Sequence, residues 1–136
     1  MSKLNSRKLQ DLQQGETAEQ MIFNVIRNKW NIKHLKKTEN FHTLDFIDEN
    51  NNFYEIKSRN NNYNKYPTTM IGLNKIEYID KNNLNCIFIF SFTDGNYYYQ
   101  YNKEDNFEIS KGGRNDRGRP EYKQYIYIPI EKLNKI

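Results

Sequence analysis

The stretch Thr43-Leu-Asp-Phe-Ile-Asp-Glu-Asn-Asn-Asn-Phe-Tyr-Glu-Ile-Lys-Ser-Arg59 reads as two short strands, Thr43–Ile47 and Phe53–Ser58, joined by a polar Asp/Glu/Asn turn. With the hairpin centred on Asn50, residues whose numbers sum to 100 stand opposite one another, so Asp45 faces Glu55. Directly opposed Cβ atoms are about 4.5–5.5 Å apart. Lys57, two residues beyond Glu55, projects from the same face. Two carboxylates and an ammonium therefore converge beside a sheet. Like charges directly opposed are destabilising, and a divalent metal is the natural compensation.

The rest of the chain frames that hairpin. Its 136 residues suffice for one core and one domain spanning 1–136, with residues 1–14 a polar, helical or frayed segment. The longest apolar run is five residues, Cys86–Phe90, too short for a membrane span. The opening Met-Ser-Lys-Leu-Asn-Ser has no apolar signal region, and Cys86 is the single cysteine, so an intracellular, reducing compartment is expected. Asn occurs 21 times, a bias that with abundant Lys, Ile and Tyr suggests an AT-rich genome. The net charge of +4 hides a pattern: residues 1–37 balance at +5 and residues 38–56 at −5, with five acids and no Lys or Arg. An acidic island in a basic chain suits a metal site within a surface that attracts phosphates. Solvated surface lysines would account for the basic remainder equally well.

In chain order, a helix is predicted from Gly15 or Glu16 to Lys29, with Ala18, Ile22, Val25 and Ile26 on its apolar face. Glu19 heads that buried stripe, where a carboxylate needs a partner or a metal; a solvent-facing first-turn acid is the alternative. Ile32 and Leu35 leave a short strand open, and His34 and His42 read as surface or loop residues. After the hairpin comes a loop over Asn60–Pro67 that contains Lys65. A second helix follows, capped by Thr68 or Thr69 and running to Asp80, with Leu73, Ile76 and Ile79 buried and Lys75 off that stripe. Asn85–Thr93, apolar on both faces, belongs in the middle of a sheet. Asp94-Gly95 signals a hairpin turn, and Asn96–Asn102 returns as a Tyr-rich strand whose rings offer either base stacking or ordinary packing. The loop Lys111–Pro120 carries Arg114, Arg117 and Arg119 among glycines, a pattern suited to gripping phosphates. Tyr122–Ile130 closes as a strand with Pro129 near its end, and Glu131–Ile136 as a short helix or tail. The order describes an α+β domain around a mixed sheet.

The oxygen ligands of Asp45 and Glu55 suit Mg2+ or Mn2+, not zinc. The Ile56 carbonyl and a water held by Glu19 would complete such a site. Lys57 would orient or deprotonate the attacking water and stabilise the five-coordinate phosphate. The chemistry is phosphodiester hydrolysis.

Asp45 followed by Glu55-Ile56-Lys57 resembles the signature of the PD-(D/E)XK nucleases. Gly15-Glu-Thr-Ala-Glu19 before an amphipathic helix, together with Glu55-Ile-Lys-Ser-Arg59, resembles the archaeal Holliday junction resolvase branch. The resemblance covers roughly residues 15–80. It implies a restriction-endonuclease-like, three-layer αβββαβ core with a mixed central sheet. It also implies Asp45, Glu55 and Glu19 as metal ligands, Lys57 as catalytic, and Lys75 as the polar residue of the second helix. Arg59, Lys65, Lys75, Arg114, Arg117 and Arg119 are the expected nucleic-acid contacts. The implied function is a Mg2+-dependent endodeoxyribonuclease, with Mn2+ as substitute and branched or junction DNA as the leading substrate; a homodimer would fit cutting of two strands. Leu44 stands where the family usually has Pro, and Lys36-Lys-Thr-Glu-Asn replaces the resolvases' Ser/Gly-rich loop. A non-catalytic nucleic-acid-binding module and an RNA-processing nuclease are the alternatives.

Overall fold

The computed structural model describes residues 20–39, 42–112 and 123–136. Glu19, the polar segment 1–14 and the arginines Arg114, Arg117 and Arg119 lie outside them. Helix α1 covers residues 20–30 of the described part, then come β1 (Leu35–Lys37), β2 (Phe46–Asp48), β3 (Asn52–Ser58) and β4 (Thr68–Gly72). Helix α2 (Leu73–Lys81) leads into β5 (Asn85–Phe92), β6 (Gly95–Gln100), β7 (Glu108–Lys111) and β8 (Gln124–Pro129); a 3-10 turn, Ile130–Lys132, precedes β9 (Asn134–Lys135). Among the described residues, six strands form a mixed sheet in the order β1-β2-β3-β5-β6-β9, with β3 and β5 parallel. A second sheet has the order β4-β8-β7. The α+β class is the one expected.

Packing gives three layers. On one face of the large sheet, Ile22 and Ile26 of α1, four residues apart, bury against Phe46, Tyr54 and Ile89. On the other, Ile76 and Ile79 of α2 and Ile71, Ile126 and Ile128 of the small sheet bury against Phe53, Phe88, Phe90 and Phe92. Strand β5 alternates between the two cores, with Cys86, Phe88 and Phe90 on one side and Ile89 on the other. Its place between β3 and β6 explains why both faces are apolar.

Several details differ from the sequence expectation. Thr68 and Thr69 do not cap α2. They begin β4, whose residues pair with β8 from Thr68↔Pro129 to Gly72↔Tyr125. The β-branched Thr69 and Ile71 point inward at alternate positions, and the helix starts only after Gly72, with no side-chain cap. A Cβ at Gly72 would meet Asn74 Oδ1 at 2.6 Å, so the end of the Asn74 side chain occupies the space beside this glycine. The hairpin turn falls on Thr93-Asp94, because Gly95 already pairs with Phe92. The C-terminal segment is a single 3-10 turn followed by β9, which pairs with β6 at Tyr97↔Lys135 and Tyr98↔Asn134. The asparagine excess also has a local use: among the described residues the non-glycine positions with positive φ are Asn31, Asn51 and Asn83. Asn31 and Asn83 end the two helices, with Ile32 N–H donating to Arg27 O and Leu84 N–H to Ile79 O.

Candidate active site

The register of the acidic hairpin is the one its spacing predicts: Phe46 pairs with Tyr54 and Ile47 with Phe53. The ladder stops at Phe46, so Asp45 is a bend residue at its open end, not a strand residue. Its backbone is nevertheless pinned. Asp45 N–H donates to Tyr54 O at 3.2 Å, and Asp45 O accepts from Thr38 N–H at 2.9 Å and Thr38 Oγ1 at 3.0 Å. The carboxylate turns back onto β3, where Oδ2 accepts Ile56 N–H at 3.0 Å. An extended residue directs its N–H and C=O to the same edge, so the Ile56 carbonyl also faces the Asp45 side.

Glu55 sits one position away on the opposite face of β3, toward α2. Its side chain is 3% exposed, and Oε1 lies 3.3 Å from Lys57 Nζ and 3.3 Å from Lys75 Nζ. The other oxygen, Oε2, is buried with no hydrogen-bond partner. Burial and then the Asp45 charge push the Glu55 carboxyl above its usual range, while Lys57 and Lys75 act in the opposite sense. Lys57 remains 30% exposed at the mouth of this cluster, and Lys75 21%.

Lys75 is thus not a solvated helix residue. It precedes the buried Ile79 by four positions and therefore lies at the margin of the apolar face. Its ammonium bridges Glu55 and the backbone oxygen of Thr43, tying α2 to the loop that presents Asp45. That loop has a second support unforeseen from the sequence. His42 Nδ1 accepts Leu44 N–H at 3.0 Å, its ring stacks on Phe53 at 5.4 Å, and Nε2 lies 3.3 Å from the Tyr78 hydroxyl. A lone histidine in a polar loop carries no signal for this role, and neither does Thr38. His34 is exposed, as expected.

The other expected site residues separate. Arg59 donates Nη2 to Met70 O at 2.8 Å, and its guanidinium lies over Phe90 at 5.8 Å, so it ties β3 to β4. Burial holds its pKa below the ordinary value. Lys65 is exposed on the loop, with its ammonium 5.5 Å from the Tyr66 ring. The tyrosines of β6 and Tyr101 just after it are engaged in packing. Tyr97 stacks on Tyr63 at 4.0 Å, Tyr98 meets Trp30 edge-on, Tyr99 donates to Asp105 and Tyr101 to Asp80. The acidic island divides as well. Glu39 is exposed, and Asp48 and Glu49 hold backbone N–H groups of Asn50, Asn52 and His34, which leaves Asp45 and Glu55 to the cluster. Among the described residues no group of three metal-ligating His, Cys, Asp or Glu side chains is present.

An aspartate at the end of one strand and Glu-x-Lys on its neighbour, on a mixed α+β sheet, is the pattern for which the PD-(D/E)XK nucleases are named, and the chain is one of that superfamily. The model of the family described as "Phage putative PDDEXK endonuclease" matches residues 6–136, and the chain belongs to that family. It is accordingly a nuclease with a nucleic-acid substrate, in a superfamily whose members generally use divalent metal ions. No curated protein and no solved structure matches it. Among the described residues no helix is long and apolar enough to cross a membrane.

Proposed function

We propose that this chain is an endonuclease that hydrolyses DNA phosphodiester bonds with the help of Mg2+, for which Mn2+ can substitute. The observation that carries the reading is Glu55 Oε2, a carboxylate oxygen buried without a hydrogen-bond partner beside a second carboxylate. Burying such an atom is costly unless a cation takes it. The donors proposed for it are all oxygens: Glu55 Oε2, the Asp45 carboxylate and the Ile56 carbonyl. That set fits a hard divalent ion that keeps further positions for water and phosphate. A bound ion there supplies a polarised phosphate and a more acidic water.

The chain's own groups do the rest. Lys57, paired to Glu55 as an ammonium, is a hydrogen-bond donor at the mouth of the cluster. It is suited to orient the attacking water and to offset the charge that grows on the phosphate during in-line displacement. Lys75 is a positioning residue that fixes Glu55 Oε1 and, through Thr43, the Asp45 loop. Glu19, beyond the described residues, is proposed as the third carboxylate, and Arg114, Arg117 and Arg119 as phosphate contacts. The succession α1-β1-β2-β3-α2-β5, with β4 diverted to the second sheet, supports the αβββαβ core. Branched DNA and a homodimer are the finer form of the proposal, resting on the resolvase-like residues; the Arg59 of that motif already has a structural task.

Labelled duplex, flap and four-way-junction DNA, and a matching RNA, incubated with and without Mg2+ or Mn2+, test the reading. DNA is expected to be cut only when the ion is present. Glu55→Ala and Lys57→Ala should bind without cutting, and replacing Arg114, Arg117 and Arg119 together by Ala should weaken binding and lessen its salt dependence. A wild type that cuts nothing with any ion ends the enzyme reading.

A further inference from the structure

Past the Glu55–Lys57 cluster, β3 reaches a pocket of about 340 Å³ whose wall includes Arg59. Arg59 follows Lys57 by two residues and lies one past the end of β3, its N–H still bonded to Ser91 O of β5 at 2.9 Å, roughly 6.6 Å further along. The pocket therefore adjoins the cluster, within reach of a nucleotide next to a phosphate held there. Its floor is aromatic and rigid. The Tyr63 ring lies flat against Tyr97 at 4.0 Å and edge-on to Phe92 at 5.9 Å, and its hydroxyl is tied to Ile130 O at 2.9 Å. Its rim is apolar and open: Tyr66 is 53% exposed and Met70 38%. Those two are half of the large apolar residues exposed among the described residues, and both line this one pocket. Exposed apolar surface concentrated in a concavity marks a binding site.

The polar groups specify the occupant. The Arg59 guanidinium sits in the wall with Nη2 on Met70 O and weaker contacts from Nε to Thr69 and Nη1 to Ser58, which engages three of its five N–H groups. Asn61 also lines the pocket, and Lys65 stands over Tyr66. Flat rings, a donor-rich cation and an amide together suit a planar group that has π-faces and an edge of acceptors.

We propose that this pocket takes one unstacked nucleobase, from the nucleotide neighbouring the cleaved phosphate, and so favours single-stranded or distorted DNA over perfect duplex. The proposal rests on the nuclease reading for its register, because Arg59 directly continues the strand that carries Lys57. A base inside a duplex has both faces covered and offers nothing to Tyr66; a splayed base offers both a face and an edge.

The test is an abasic scan. Using the Glu55→Gln protein, so that DNA stays uncut, binding of a short single strand and of a flap is measured by anisotropy with one base at a time removed. Loss of the base at one position is expected to weaken binding about five- to a hundredfold, and loss elsewhere far less. Tyr66→Ala, on an exposed ring, should erase that position's effect, and Tyr66→Phe should restore it. A flat scan, or a scan that Tyr66→Ala leaves intact, overturns the pocket while cleavage by wild type keeps the nuclease reading. A position-specific scan together with a wild type that cuts nothing with any ion would keep the pocket and end the nuclease reading.

Discussion

The two ends of one hairpin treat a carboxylate in opposite ways. At the turn, Asp48 accepts N–H bonds from Asn50 at 2.8 Å and Asn52 at 2.9 Å, an amide bond from Asn52 at 3.2 Å and the Tyr54 hydroxyl at 2.8 Å. Burial acts to raise its pKa, but those hydrogen bonds outweigh it and hold the group below the usual range. At the open end, Glu55 has one oxygen between two ammoniums and the other with no partner, and its pKa is raised. Both residues are nearly inaccessible, at 7% and 2%. Burial alone does not mark a functional carboxylate. What separates them is whether the fold has already satisfied the charge, and only at Glu55 has it not.

Glu55→Gln is the strongest probe of that difference. If Glu55 serves chemistry, cleavage should fall by well over about a hundredfold, since even outer-shell changes at metal sites cost 10–100-fold. Its effect on stability should be the reverse. A carboxyl with a raised pKa binds its proton more tightly in the folded state, so the ionised form weakens the fold as pH rises past the ordinary value of 4.5. Thermal melts at pH 7 in chelator should therefore show the variant at or above wild type, and added Mg2+ should stabilise wild type alone. A variant that melts several degrees lower would mean that the Lys57 and Lys75 pairs dominate, and the contrast with Asp48 would break.

Asp48→Ala should behave in the opposite manner. It strands the N–H groups of Asn50 and Asn52 and the buried Tyr54 hydroxyl, a loss of about 2–4 kcal/mol in urea denaturation. Cleavage per folded molecule should stay near wild type, because Asp48 lies on the α1 face with Tyr54 and Glu55 on the α2 face with Phe53. Equal losses of stability and specific activity would join the two ends into one unit.

The hairpin was legible because its signals are local. Polar turn residues, alternating strands and a period of two suffice to put Asp45 opposite Glu55. The second sheet was not, because Thr68–Gly72 gains its strand only by pairing with β8, some 55 positions away, and in isolation its threonines look like a helix cap. Lys75 lay between these cases. Its spacing of four from Ile79 was visible, but the partner that turns a surface lysine inward, Glu55, was legible only through the fold. Arg59 and the β6 tyrosines also tie strands together, a packing task that their residue types do not announce in the sequence. The roles of Thr38 and His42 depend wholly on tertiary neighbours.

Lys75→Met sharpens the contrast from the cation side. It keeps most of the packing volume but removes the charge beside Glu55 Oε1 and the donor to Thr43 O. As a positioning residue, Lys75 should shift the divalent-ion concentration for half-maximal cleavage upward by about tenfold. At saturating ion the rate should largely recover. A rate that stays depressed at every ion concentration would move Lys75 from support of the Asp45 loop into contact with the substrate.

The smallest expected effect is on the acid side and belongs to Asp48. Because its folded pKa is depressed, the stability it contributes is complete above the usual value of 3.8 and is lost as pH falls through the lower, folded value. Glu55 has the opposite sign, so protonating it does not add to that loss. Melts from pH 5 downward should therefore show wild type losing a few degrees more than Asp48→Asn, which has no carboxyl to protonate there. Parallel curves would mean that the four hydrogen bonds at the turn persist with a neutral side chain. The comparison would then turn on the unpartnered Glu55 Oε2 alone and no longer on the charge at Asp48.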